Sequence, residues 1–118
     1  MCRILLAMDD YRLYLIFTEA ALLEETLMGY SAGAYYAADS TRLLQKADFQ
    51  MASLVLCYPW TTGLSADKLE KDYPPTLFIL SGQDPISQKA KNYVKDMKSA
   101  GLELEVIEYE NAVHSFIE

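Results

Sequence analysis

The sequence predicts an α/β fold, a parallel sheet of four to five strands with helices on both faces. Three observations carry that expectation. Ser53–Tyr58, Thr76–Leu80 and Glu103–Tyr109 are short apolar runs bounded by turn chemistry, the pattern of strands covered on both sides in a parallel sheet. Stretches of helical periodicity alternate with these runs, as crossover connections require. The 118 residues, 52% hydrophobic and 23% charged, provide one globular domain with a modest core, read as a single unit over residues 1–118.

In chain order, Arg3–Met8 is a candidate strand at the start. Tyr11–Glu25 reads as a helix that is apolar on more than one side, as expected beneath a sheet. Leu27-Met28 is a short strand leading into Gly29-Tyr30-Ser31-Ala32-Gly33, and Ser31–Gln45 carries alanines and leucines at roughly helical spacing. Pro59 closes the Ser53–Tyr58 strand, and Thr61–Tyr73 is a polar connector with a short helix over Ala66–Lys71. Pro74-Pro75 open the Thr76–Leu80 strand. Ser87–Ala100 is the clearest helix: Ser87 is placed to cap it, Ala90, Tyr93, Val94 and Met97 form one apolar face, and Gly101 ends it. Lys89, Lys91, Lys95 and Lys98 read as its solvated face. The Glu103–Tyr109 strand is followed by a loop, Glu110-Asn111-Ala112-Val113, that leads to His114.

Composition narrows the function. A net charge of −7 argues against nucleic acid or an anionic membrane as partner, since both attract clustered Lys and Arg. Cys2 and Cys57 are too few for a disulfide framework and read as free thiols in a reducing compartment. The apolar stretches Tyr14–Phe17 and Ala20–Leu23 are interrupted by charged residues, and the first residues lack the form of a secretory signal. The expected location is therefore the cytoplasm. No cluster with metal-ligand spacing and no phosphate-binding glycine loop is present, so neither metal nor cofactor is expected. Trp60 reads as packing or pocket wall at a strand end.

Gly29-Tyr30-Ser31-Ala32-Gly33 has the G-x-S-x-G form of a nucleophile elbow. Such a serine sits on a sharp strand-to-helix turn, and glycines at Gly29 and Gly33 let the two backbones pass closely. The hydroxyl then emerges at the carboxyl end of the sheet, where the amide of Ala32 can help bind an oxyanion. Asp84, in the turn after Thr76–Leu80, and His114, after the last strand, fall at the same rim. Asp84 can equally be a turn aspartate and His114 a surface residue when each is taken alone. Their order of Ser31, Asp84, His114 instead fits acyl transfer, with His114 as base and Asp84 fixing its tautomer.

These motifs give the chain a resemblance to the C-terminal half of an α/β-hydrolase, within the esterase and lipase group that includes acetyl esterases and hormone-sensitive-lipase-like enzymes. The elbow resembles that family's G-x-S-A-G, and Pro74-Pro75-Thr76-Leu77 its P-P-T strand. Ser81-Gly82-Gln83-Asp84-Pro85 resembles its D-P acid loop, and Val113-His114-Ser115-Phe116 its H-G-F histidine loop, with Ser115 in place of glycine. Ala100–Glu105 is similar to its connection into the last strand, so the similarity runs from about Glu25 to Glu118.

The resemblance implies hydrolysis of short-chain carboxylic esters, with Ser31, Asp84 and His114 as the triad and Ala32 as one oxyanion donor. Nothing in the chain matches the family's H-G-G-G oxyanion loop. Asp10-Tyr11-Arg12-Leu13 is similar to a D-Y-R-L segment of these enzymes but lies much nearer the elbow than theirs. The chain ends four residues after His114, short of a final helix. It thus reads as a shortened or internally deleted hydrolase. Two functions remain open: a weakened serine esterase, or a non-catalytic remnant, interaction module or part of a split enzyme. Missing neighbours would also expose the sheet edge beside the elbow strand, to be covered by Arg3–Met8 or by a second subunit in a homo-oligomer.

Overall fold

The computed structural model describes residues 2–8, 13–19, 26–47 and 50–117. Its strands are β1 (Cys2–Met8), β2 (Leu13–Glu19), β3 (Thr26–Tyr30), β4 (Ser53–Cys57), β5 (Thr76–Gln83) and β6 (Leu104–Val113). Its helices are α1 (Ala32–Lys46) and α2 (Ser87–Ser99), with one 3-10 turn at Ala66–Lys68. The strands form one six-stranded sheet in the order β2-β1-β3-β4-β5-β6. The five strands from β1 to β6 are mutually parallel, and β2 runs antiparallel to β1 at the edge.

The α/β class expected from the sequence is the one observed, with several differences in its elements. The helix expected over Tyr11–Glu25 is replaced, at Leu13–Glu19, by strand β2. Tyr14, Ile16, Phe17 and Thr18 are aromatic or β-branched, types that fit a pleated strand better than a helix. Residues 9–12 and 20–25 of that expectation, including Asp10, Tyr11 and Arg12, lie outside the described residues. The short helix expected over Ala66–Lys71 is only the turn Ala66–Lys68. The edge of β3 is covered, since β1 pairs with it from Leu5↔Thr26 to Met8↔Gly29.

Register explains the core. Leu27 pairs with Leu54, and Gly29, Leu56 and Phe78 lie side by side across β3, β4 and β5. These side chains therefore share one face, and each buried Leu or Phe contributes roughly 1.5–3 kcal/mol. Ala34, Ala37 and Ala38 of α1 pack on that face, as do Ala90, Tyr93, Val94 and Met97 of α2. The α2 face expected from periodicity is thus the buried one. Tyr73 ties the connector to α1 by donating its hydroxyl proton to the Ala38 carbonyl at 2.9 Å.

Both described helices lie on this one face, and no helix covers the other among the described residues. The steps β3→β4 and β5→β6 run in the same direction across the sheet, so right-handed crossovers put their helices on one side. Met28, Val55, Leu77 and Ile79 on the opposite face are half-buried. No helix among the described residues is long and apolar enough to cross a membrane.

Candidate active site

The site begins at the junction of β3 and α1. Ser31 has φ 54° and ψ −120°, a left-handed backbone that a non-glycine residue adopts at a cost of about 1–3 kcal/mol. Three hydrogen bonds hold it there. Its N–H donates to the Cys57 carbonyl at 2.9 Å, and its carbonyl accepts from the amides of Ala34 and Trp60, both at 3.1 Å. Gly29 is required by close approach: a Cβ there would lie 2.6 Å from the Gly33 carbonyl oxygen and 2.7 Å from Ala34 Cα. Gly33 is buried in the first turns of α1, and Ala32 is that helix's first residue.

Asp84 and His114 come together through strand pairing. The β5–β6 ladder is regular up to Ser81↔Tyr109, then resumes at Gln83↔Val113, so β6 bulges outward between the two pairs. The next residues, Asp84 and His114, therefore leave the sheet side by side. The loop expected at Glu110–Val113 is instead the end of β6. Gly82 permits this closure, because a Cβ there would collide with the backbone of Glu110.

The three polar side chains form one chain of hydrogen bonds. Ser31 Oγ lies 2.6 Å from His114 Nε2, and His114 Nδ1 lies 2.6 Å from Asp84 Oδ2. An ionised carboxylate only accepts, so the Nδ1 proton faces Asp84 and Nε2 is left to accept the Ser31 hydroxyl proton. Asp84 is almost fully enclosed, its side chain 2% exposed. Burial pushes its carboxyl up, but the Ile86 amide, His114 and the Ser81 hydroxyl together hold it below the usual carboxylate value. Ile86 N–H donates to Oδ1 at 3.0 Å and the Ser81 hydroxyl to Oδ2 at 2.7 Å.

Asp84 also starts α2. Its backbone carbonyl accepts the Ser87 amide at 3.1 Å, and the helix is preceded by Ile86 in helical geometry. The cap expected from Ser87 is absent, since that residue is inside the helix with a buried hydroxyl.

Sequence reasoning missed two supporting residues. Tyr58 is fully buried, with φ 34°, and its ring meets the His114 imidazole edge-on at 5.0 Å and the Phe116 ring at 5.7 Å. Ser81 gave its signal as a hydroxyl three residues before the acid. Ser115 has φ 64°, a left-handed position where glycine is the low-cost residue. Cys57 is fully buried at the end of β4, and no cluster able to hold a metal ion occurs among the described residues.

Comparison with known proteins gives the architecture its context. Residues 64–118, which include Asp84 and His114 but not Ser31, match the family model of the alpha/beta hydrolase fold. No curated protein matches. Among solved structures, esterases from Rhizomucor miehei are similar at 16% identity and a TM-score of 0.67, over 79% of this chain and 44% of theirs. A thermostable esterase from Pseudomonas putida is similar at 17% identity and 0.68, over 78% and 43%. Carboxyl esterase 2 from Tuber melanosporum is similar at 19% identity and 0.66, over 79% and 45%. The chain spans less than half the length of these enzymes. Its strands and helices have the α/β-hydrolase fold, and what is present is a part of that fold as the solved esterases carry it.

Proposed function

We propose that this chain is a serine carboxylesterase acting on short-chain esters, with Ser31 as nucleophile, His114 as base and Asp84 as its support. The observation that carries the reading is the continuous pair of 2.6 Å contacts from Ser31 through His114 to Asp84. Ser31 Oγ attacks the ester carbonyl carbon while its proton passes to His114 Nε2. Asp84, held ionised by its three donors, stabilises the imidazolium that forms. Nε2 then gives the proton to the departing alkoxide, leaving an acyl-Ser31 ester. Water attacks that ester, losing its proton to Nε2, which passes it to the departing Ser31 Oγ as the acid is released.

The Ala32 amide is assigned to the carbonyl oxygen, at the positive end of α1. No second donor loop of the H-G-G-G kind is present in the sequence. Loss of one oxyanion donor costs about 2.7–4 kcal/mol, so turnover should be roughly a hundred- to a thousandfold below that of a complete hole. The reading requires no cofactor, and a cytoplasmic location is proposed with it.

The test is turnover of p-nitrophenyl acetate by the chain and by Ser31→Ala. Slow turnover that the substitution abolishes supports the reading, and equal rates reject it. A second reading, in which the chain works only with a complementary chain, is favoured by the half-buried face at Met28, Val55, Leu77 and Ile79. Activity of the chain by itself would decide against it.

A further inference from the structure

An aromatic pocket adjoins the elbow. A cavity of about 210 Å³ is bounded by Ala32, Tyr35, Tyr36, Trp60 and Thr62. It is built on the same backbone as Ser31: Ala32 is the next residue, and the Trp60 amide donates to the Ser31 carbonyl at 3.1 Å. The rings of Tyr35 and Tyr36 stand edge to face at 5.5 Å. Tyr36 is 54% and Trp60 44% exposed, large apolar surface that a ligand in the cavity would cover. Cavities of about 270 and 380 Å³ elsewhere lie between the connector and α2 and include neither Ala32 nor Trp60.

Chemistry assigns the two halves of an ester to the two sides of Ser31. The leaving oxygen must take its proton from His114 Nε2, so the alcohol half lies on the histidine side. The cavity is walled by Ala32, next to the nucleophile, and by neither Ser31 itself nor His114, Ser115 or Phe116, which fits the acyl half better than the alcohol half. Size and lining then select the group. An apolar cavity of ~150 Å³ is enough for benzene, so this one holds a phenyl ring with its carbonyl carbon. A flat ring can also meet the rings of Tyr36 and Trp60 at stacked or edge-on distances, which an acetyl group cannot do.

We propose that the pocket formed by Ala32, Tyr35, Tyr36, Trp60 and Thr62 binds the acyl half of an aromatic ester, of the benzoate class, in addition to the short-chain esters above, whose acyl groups leave the pocket empty. This rests on the ester-hydrolysis reading of Ser31, and the experiment separates the two. Trp60 is the only tryptophan among the 118 residues, so its emission reports the pocket directly. Ethyl benzoate is titrated into the Ser31→Ala chain, which cannot turn it over, with ethyl acetate as the comparison. The expected result is a saturable blue shift with ethyl benzoate and none with ethyl acetate. Tyr36→Ala, at an exposed position on α1, should raise the half-saturating benzoate concentration at least fivefold. No saturable shift, an equal response to ethyl acetate, or no effect of Tyr36→Ala overturns the proposal. Labelling of Ser31 by a fluorophosphonate in the unsubstituted chain reports the hydrolase reading separately: a labelled Ser31 with no benzoate shift removes the pocket alone, and a benzoate shift with an unlabelled Ser31 removes the reaction alone.

Discussion

Ser31, Tyr58 and Ser115 are the non-glycine residues with positive φ among the described residues, at 54°, 34° and 64°. All three belong to the candidate site or touch it, so backbone strain is concentrated where the side chains must be aimed. At Ser115 the strain has no evident chemical use. Ser115→Gly should therefore raise stability by about 0.5–1 kcal/mol, the relief of a left-handed L-residue less the greater freedom of unfolded glycine. Urea denaturation checks it, and a loss of stability would show that the Ser115 side chain matters more than its backbone. Asp84 gives a prediction in pH. Its folded carboxyl titrates below the ordinary 3.8, so its stabilising contribution is present above that value and is lost as pH falls through the lower folded one. The difference in denaturation midpoint between the chain and Asp84→Asn should be constant near neutrality and shrink below about pH 4.

At the scale of elements, the site depends on two close approaches, one at Gly29 and one at Gly82. Gly82→Ala would drive a Cβ into the Glu110 backbone, 2.6 Å from its Cα, and part the ends of β5 and β6. A loss of about 1–3 kcal/mol is expected, with esterase turnover falling further than stability because Asp84 and His114 separate. Parallel melting and turnover measurements check this; a loss of stability with full turnover would contradict it. Much of this was legible in the sequence. G-x-S-x-G, the apolar face of α2 and the apolar runs of β4 and β5 each carry a local pattern that names its element. The Tyr14–Phe17 run did not, because a short apolar stretch fits helix and strand equally well and its partner β1 decides. The true end of β6 and the support from Tyr58 were also illegible, since bulges and ring packing arise only once strands pair.

Across the whole molecule, the sheet has a covered face, a half-covered face and two outer strands. β6 is the outer strand beside the site, exposing Val106, Ile107, Tyr109 and Val113. Glu103, Glu105, Glu108 and Glu110 are also exposed on and beside it, and Lys91 bridges Glu108 at 2.7 Å. With a net charge of −7, pairing of two such edges would oppose like charges. Self-association through β6 should therefore grow with ionic strength, which sedimentation velocity at low and high salt will read; association that weakens with salt would point to another surface. Activation of one hydroxyl by one imidazole, itself held by one carboxylate, is open to a single measurement: fluorophosphonate labelling of the purified chain read by mass spectrometry. A single adduct on Ser31 that is lost in His114→Ala is expected. An unlabelled chain, or an adduct that survives removal of the imidazole, would contradict it.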